Sequence, residues 1–155
     1  MRATSLNHVS ISARELAESV RFYHEVFGME PLPTPNFGFP VQWMRVGDLQ
    51  LHLFERPDEP PMYHHTALTV DDFDAIYREA RRRGIHDSTT FGHHLYELPG
   101  ENAQMYLRDP AGNLIEVDYP SIAGLAPDVR ADMKRLADGR PQDEGNLKAT
   151  LFLGG

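Results

Sequence analysis

Residues 65–84, "HTALTVDDFDAIYREARRRG", join a strand pattern to a helix pattern and carry the signals of the boundary between them. In "HTALTV" aliphatic residues alternate with polar or small ones, which is typical of a strand with one buried face. Asp71 and Asp72 predict an acidic cap for a helix over "FDAIYREARRR", and Gly84 is placed to end that helix. The stretch therefore predicts a strand followed directly by a helix.

The beginning of the chain has the same order of features. "LNHVSIS" at residues 6–12 alternates as a strand, and Ser12 with Glu15 predicts a capping box for the helix "ARELAESVRFYHEVFG". Strand patterns follow both helices: "MEPLP", "VQWMRV" and "LQLHLFE" in the first half, and "AQMYLRD" and "LIEVDY" in the second. We interpret this repetition as two βαβββ modules, at about residues 6–56 and 64–120.

The repeat predicts the fold class. One four-stranded sheet with one helix cannot cover both of its faces, so two modules should pack edge to edge. We therefore predict an α+β fold with a curved mixed sheet, helices outside and a concave groove inside. We expect one domain at residues 1–125 and a C-terminal extension at residues 126–155, in which "LAPDVRADMKRLADG" predicts an amphipathic helix. A polar linker and the apolar end "LKATLFLGG" follow, and an apolar end needs a partner surface.

Strand alternation places four potential metal ligands on the polar faces of their strands, away from the aliphatic residues that the helices should cover. These residues are His8, His52, His65 and Glu116. The neighbouring His64 falls on the opposite face of its strand from His65. Three imidazoles and a carboxylate suit Fe(II), Mn(II), Ni(II), Co(II) or Zn(II). The alternative is that these histidines only form hydrogen bonds in or near the core.

Composition excludes several classes of partner. A formal net charge of −8 argues against nucleic-acid binding, which depends on clustered Lys and Arg. The chain has no cysteine, so it has neither disulfides nor thiolate metal ligands. We find no secretory leader and no run of eighteen apolar residues, and we therefore expect a cytoplasmic protein that has no membrane partner.

Three stretches resemble motifs of one known family. "LNHVSISARELAESVRFYHEVFGMEP", "HTALTVDDFDAIYREARRRGI" and "MYLRDPAGNLIEV" are similar to the two module openings and the closing motif of the vicinal oxygen chelate superfamily. That superfamily includes glyoxalase I, methylmalonyl-CoA epimerase, extradiol dioxygenases, and fosfomycin and bleomycin resistance proteins. The resemblance covers roughly residues 6–119. It implies a homodimeric enzyme in which His8, His65 and Glu116 hold one divalent metal ion that binds two neighbouring oxygens of a small-molecule substrate.

Other residues bear on which reaction the resemblance implies. Glyoxalase and epimerase members supply a further side chain from the strand that carries His52, so His52 is a candidate fourth ligand or base, with a pocket-lining role as the alternative. Extradiol dioxygenases have a catalytic tyrosine ten residues before the ligand glutamate, which matches Tyr106. They also have an acid-base histidine before that tyrosine, for which His94 is the candidate beside His93, although "ELPGEN" indicates a turn and favours exposure of both histidines.

We lean towards an extradiol-type ring-cleaving dioxygenase because of Tyr106 and the ligand set His8, His65 and Glu116. A glyoxalase I or epimerase-type lyase or isomerase is the alternative within the same class. A drug- or metabolite-binding resistance protein that needs no metal is the alternative of another class.

Overall fold

The computed structural model describes Arg2 and residues 4–152, so residues 153–155 of the expected C-terminal extension lie outside it. Backbone contacts divide the chain into two compact units. The first contains the chain up to His64 together with Arg108–Asn113, and the second contains His65–Leu107 and the chain from Leu114 onwards. Within the described ranges, no helix has the length and apolar character needed to cross a bilayer.

The first unit is a four-stranded mixed sheet with one helix. Its elements are β1 (His8–Ala13), α1 (Leu16–Phe27), β2 (Glu30–Leu32), β3 (Val41–Val46) and β4 (Leu49–Glu55). The strands lie in the order β1-β4-β3-β2; β1 is parallel to β4, and the other neighbours are antiparallel. The buried residues of α1 recur at helical spacing, at Ser19, Phe22, Tyr23 and Val26.

The second unit begins with the same order of elements. They are β5 (His65–Thr69), α2 (Phe73–Arg83), β6 (Leu95–Leu98), β7 (Asn102–Arg108) and β8 (Leu114–Tyr119). A C-terminal segment follows with α3 (Pro127–Asp132), β9 (Lys134–Arg135) and α4 (Leu136–Gly139). The sheet order is β5-β8-β7-β6-β9, with β5 parallel to β8 and β6 antiparallel to β7.

The α+β class and the two βαβββ modules are confirmed, and each module forms a hydrogen-bonded sheet of its own. The single helix predicted over "LAPDVRADMKRLADG" is wrong. α3 ends at Asp132, and Lys134 and Arg135 pair with Tyr96 and Glu97 of β6. The reason is tertiary, because the backbone groups on the outer edge of β6 need hydrogen-bond partners that an uninterrupted helix would not supply.

The helix boundaries test the predicted capping residues. The Asp72 side chain accepts a hydrogen bond from Ala75 N at 2.9 Å, and Gly84 ends α2 in the left-handed region with φ 67°, as predicted. The capping box at the start of α1 is wrong, because Glu15 is the N-cap and makes no side-chain cap bond. Leu16 N instead donates to Glu55 Oε2 at 3.0 Å, since the β1-β4 pairing brings Glu55 to this helix end.

A buried polar network stabilises the first unit around Asp109. The Tyr23 hydroxyl donates to Asp109 Oδ2 at 2.9 Å, and the backbone N–H groups of Ala111 and Asn113 donate to Oδ1 at 3.0 and 2.8 Å. Asn113 Nδ2 donates to Asp109 Oδ2 at 2.8 Å and to Ser12 O at 2.7 Å. The turn "PAGN" at residues 110–113 is thereby hydrogen-bonded to both α1 and β1.

Candidate metal centre

His65 and Glu116 form the nearest pair of predicted ligands in the second unit. In the parallel pairing of β5 with β8, Ala67 lies opposite Glu116, so His65 stands two residues away on the same face. His65 Nε2 lies 3.3 Å from Glu116 Oε2, and the Glu116 side chain is 7% exposed. Two ligand atoms bound at about 2.0–2.2 Å to one ion lie about 3 Å apart, so this pair fits adjacent positions on a single ion.

Tyr106 lies on the same face of this sheet as Glu116. Its hydroxyl donates to Gln104 Oε1 at 2.7 Å, and its ring meets the His65 ring edge-on at 6.5 Å. Burial, followed by the negative charge of Glu116 and a hydrogen bond with it, raises the pKa of Tyr106 well above its ordinary value. Tyr106 therefore remains a protonated hydrogen-bond donor at neutral pH.

Asp118 supplies a second buried carboxylate on this face, two residues after Glu116. Burial and the neighbouring Glu116 charge raise the pKa of Asp118 to about 7. Its Oδ1 atom is buried and has no hydrogen-bond partner among the residues that the structure describes. Adjacent buried carboxylates repel each other, and a divalent cation would stabilise both charges, so the residues of this face fit a bound metal ion.

The first unit contains a histidine pair with the same strand relationship. β1 and β4 are parallel with Ser10 opposite His52, and His8 stands two residues before Ser10. His8 is therefore related to His52 in this unit as His65 is related to Glu116 in the other. The rings of His8 and His52 stack with their centroids 4.1 Å apart, and Trp43 stacks on His52 at 4.5 Å.

The hydrogen bonds of this pair indicate which ring nitrogen of each histidine is available to a metal ion. Burial, followed by the charge of His8, lowers the pKa of His52, so His52 is neutral at neutral pH. Its Nε2 lies 2.9 Å from Gln50 Oε1, which only accepts, so the proton is on Nε2 and the lone pair on Nδ1. By the same reasoning, the bond of His8 Nδ1 to Asn7 Oδ1 at 2.9 Å leaves the His8 lone pair on Nε2.

The structure thus groups the predicted site residues by unit: His65, Glu116 and Tyr106 in the second, His8 and His52 in the first. His94 belongs to another cluster in the second unit. Its Nε2 donates to Asp132 Oδ2 at 2.9 Å, and its Nδ1 accepts from Ser88 Oγ at 2.8 Å. The side chains of His93 and His94 are 14% and 13% exposed, so the expected exposure is wrong.

A cavity of about 1000 Å³ in the second unit opens beside the candidate site. Tyr106 and Gln104 line it from β7, and the C-terminal segment lines it with more cationic than acidic side chains. The cations are Arg130, Lys134, Arg135 and Arg140, and the acids are Glu97 and Asp138. Sequence reasoning missed this lining because it treated the segment as one helix outside the modules.

Gln104 and Asp118 were also missed, although a signal for them was available. Both share strand parity with a residue that was singled out, Gln104 with Tyr106 and Asp118 with Glu116. Extending the parity argument by one position along β7 and β8 would have identified them.

Comparisons with known proteins add independent findings. The model of the Glyoxalase/Bleomycin resistance protein/Dioxygenase superfamily matches residues 5–117. "Glutathione transferase FosA" from Serratia marcescens is 30% identical over 77% of this chain and 83% of the relative. "Glyoxylase I 4" from Arabidopsis thaliana is 27% identical over 76% of this chain and 71% of the relative. The fosfomycin resistance protein FosX from Listeria monocytogenes has a similar fold, with a TM-score of 0.65 at 15% identity over 78% of this chain and 95% of FosX.

Proposed function

Because this chain belongs to the Glyoxalase/Bleomycin resistance protein/Dioxygenase superfamily, we propose that it is a divalent-metal-dependent enzyme that binds a small substrate through two neighbouring oxygens. The observation that carries the proposal is the 3.3 Å approach of His65 Nε2 to the buried Glu116 carboxylate. The proposed ligands are His65, Glu116 and His8, with His52 as a fourth. The resemblance to the superfamily also supports a homodimer.

Each residue of the second unit has a distinct part in this proposal. When bound, a divalent ion supplies Lewis-acid stabilisation of negative charge that develops on the substrate. The Tyr106 hydroxyl, kept protonated by its raised pKa, donates a hydrogen bond to a substrate oxygen. Without substrate that proton is donated to Gln104 Oε1 at 2.7 Å, and the hydroxyl turns from Gln104 to the substrate oxygen when the substrate binds. Burial and the neighbouring Glu116 charge raise the pKa of Asp118 to about 7, so Asp118 is the group on this face whose protonation changes near neutral pH in the metal-free chain.

The cavity lining indicates the charge of the substrate. Four cationic side chains face two acidic ones around the space next to Tyr106, in a chain whose net charge is −8. One of the cations is already paired, since Arg135 Nε lies 3.2 Å from Glu97 Oε1. We therefore propose an anionic substrate, with the segment at residues 130–140 forming one wall of its pocket.

The relatives and the position of His94 bear on the reaction. Two similar proteins are named "Glyoxylase I 4" and "Glutathione transferase FosA", and the second name includes a thiol, glutathione. Extradiol cleavage would use His94 as its acid-base residue, but His94 is hydrogen-bonded to Asp132 and Ser88. We therefore place a glyoxalase-type or thiol-transfer reaction first. Extradiol cleavage is second, favoured by the contact of Tyr106 with Glu116.

A substrate panel tests the reaction class. The purified protein is loaded separately with Mn²⁺, Ni²⁺, Zn²⁺ and Fe²⁺ and assayed with glutathione hemithioacetals, with glutathione plus an anionic epoxide, and aerobically with catechols. Metal-dependent turnover of either glutathione substrate supports the first candidate, and turnover of catechols alone supports the second. Failure to take up any divalent metal at micromolar concentration would contradict both and favour a metal-free binding protein.

Replacing Tyr106 with phenylalanine is expected to lower kcat/KM by about 100-fold, because one preorganised hydrogen-bond donor to the developing charge is lost. The number of bound metal ions should stay unchanged, because Tyr106 is not a proposed ligand. Steady-state kinetics and metal analysis measure the two quantities. Tyr119→Phe is the matched control, since Tyr119 lies on the other face of β8 against Phe73. Equal kcat/KM for the two variants would exclude Tyr106 from the reaction.

Metal removal is expected to destabilise the protein, because an ion that binds only the folded chain shifts the folding equilibrium. At a free metal concentration of 100 times Kd the stabilisation is about 2.7 kcal/mol. Thermal unfolding with excess Zn²⁺ should therefore give a higher Tm than unfolding in a chelator. Identical melting curves would be inconsistent with a metal centre built from buried ligands such as Glu116.

A further inference from the structure

We propose that His93, His94 and Asp132 form a second divalent-metal site, of the kind that binds Zn²⁺. One ligand atom from each residue lies within 4.8 Å of the other two. Two imidazoles and one carboxylate are a donor set that borderline divalent ions prefer. This set shares no residue with the proposed catalytic ligands.

The surroundings of the three residues resemble those of a built metal site rather than a chance surface cluster. Metal-binding histidines usually have a hydrogen bond at their other ring nitrogen, which fixes the ring orientation. Ser88 Oγ lies 2.8 Å from His94 Nδ1 and would accept a hydrogen bond from Nδ1–H once an ion occupies Nε2. The Tyr77 hydroxyl donates to Asp132 Oδ2 at 2.6 Å and fixes the carboxylate. Ligand and supporting residues therefore come from α2, α3 and the loop before β6.

The neighbouring His86 gives an independent sign of unmet polar bonding. Its ring stacks on the His94 ring with the centroids 4.2 Å apart. His86 Nε2 is buried, and no described residue forms a hydrogen bond with it. A buried polar nitrogen without a hydrogen-bond partner is unfavourable, so this part of the cluster is incomplete in the chain alone.

The cluster contacts α2, which packs on the opposite side of the second unit's sheet from the catalytic candidates. α2 packs on the face of β8 that carries Tyr119, because Phe73 of α2 contacts the Tyr119 ring at 5.8 Å. Strand alternation places Glu116 on the other face. Tyr77, which binds Asp132, also belongs to α2. An ion held by this cluster would therefore be separate from one held by Glu116.

The position of Asp132 gives the second site a structural role. Asp132 is the last residue of α3, and Met133, Lys134 and Arg135 directly after it line the cavity. A metal ion bound to Asp132 would join this wall of the cavity to His93 and His94, which lie in the loop between α2 and β6. Such a link constrains the segment that supplies the cationic lining, without taking part in the reaction.

Zinc stoichiometry tests the proposal with Zn²⁺ as the only probe. The wild-type chain, Asp132→Asn, Glu116→Gln and the double variant are equilibrated by dialysis with micromolar Zn²⁺, and bound zinc is measured by elemental analysis. We expect two ions per wild-type chain, one in each single variant and none in the double variant. If Asp132→Asn bound one ion fewer than the wild type and Glu116→Gln bound the same number, the result would support the second site and contradict the catalytic one. Undiminished zinc in Asp132→Asn would overturn the second site.

Two further variants cover a possible folding defect in Asp132→Asn. Ser88→Ala keeps all three ligands and changes an exposed side chain, and it should weaken zinc binding at this site by about 10- to 100-fold. His24→Ala removes an exposed histidine of α1 and should leave both affinities unchanged. Equal zinc affinity in Ser88→Ala and the wild type would contradict the proposed role of His94 as a ligand.

Discussion

His65→Ala is expected to eliminate metal binding at the catalytic site and, with it, turnover. The substitution removes the imidazole that lies 3.3 Å from Glu116 Oε2 and leaves the buried carboxylates Glu116 and Asp118 without that neighbour. Loss of a supporting hydrogen bond already costs about 10- to 100-fold in metal affinity, so loss of a ligand should exceed 100-fold. The variant is best measured in the Asp132→Asn background, where the proposed second site is absent.

His64→Ala is the matched control for this experiment. His64 directly precedes the first residue of β5 and is exposed, and strand alternation predicts that its side chain points away from the face that carries His65. Isothermal titration with Zn²⁺ should give the parent affinity for His64→Ala and no measurable binding for His65→Ala. The reverse outcome would mean that the strand register from which the site was derived is wrong.

Asp109→Ala is expected to cause the largest loss of stability among single substitutions in the first unit, at least about 3 kcal/mol. Asp109 is 5% exposed and accepts bonds from the Tyr23 hydroxyl, the Asn113 amide and two backbone N–H groups. Removing its carboxylate leaves several buried donors without an acceptor. Chemical denaturation followed by circular dichroism measures the loss as a lower denaturation midpoint.

Asp58→Ala gives the corresponding surface control. Asp58 is exposed, and substitutions at such positions usually change the free energy of unfolding by less than about 0.5 kcal/mol. If Asp109→Ala and Asp58→Ala had the same denaturation midpoint, the Asp109 network would not be a stabilising feature of this unit.

Features that depend on local patterns could be predicted from the sequence. Strand alternation is a property of neighbouring residues, and it correctly placed Glu116 and His65 on one face, on strands that prove to be adjacent. The caps at Asp72 and Gly84 are equally local, because each depends on one residue and the helix next to it. These features were sufficient to predict both modules.

Features that depend on residues distant in sequence could not be predicted in this way. The start of α1 uses Glu55, which is 39 residues away from the backbone group that it binds. His94 is largely covered because it forms a hydrogen bond with Asp132, which is 38 residues later in the sequence. β9 exists because the edge of β6 offers backbone partners. In each case a tertiary contact outweighs the local pattern, and nothing near those residues in the sequence indicates it.

Anomalous X-ray scattering from crystals grown with Zn²⁺ tests the central claim most directly, because it locates the ion independently of activity. The proposed site predicts an anomalous peak within about 2.0–2.2 Å of both His65 Nε2 and a Glu116 carboxylate oxygen. A second peak near Asp132 would accompany it if the further site is also correct. Crystals that contain zinc but show no peak within bonding distance of His65 and Glu116 would contradict the proposed catalytic metal centre.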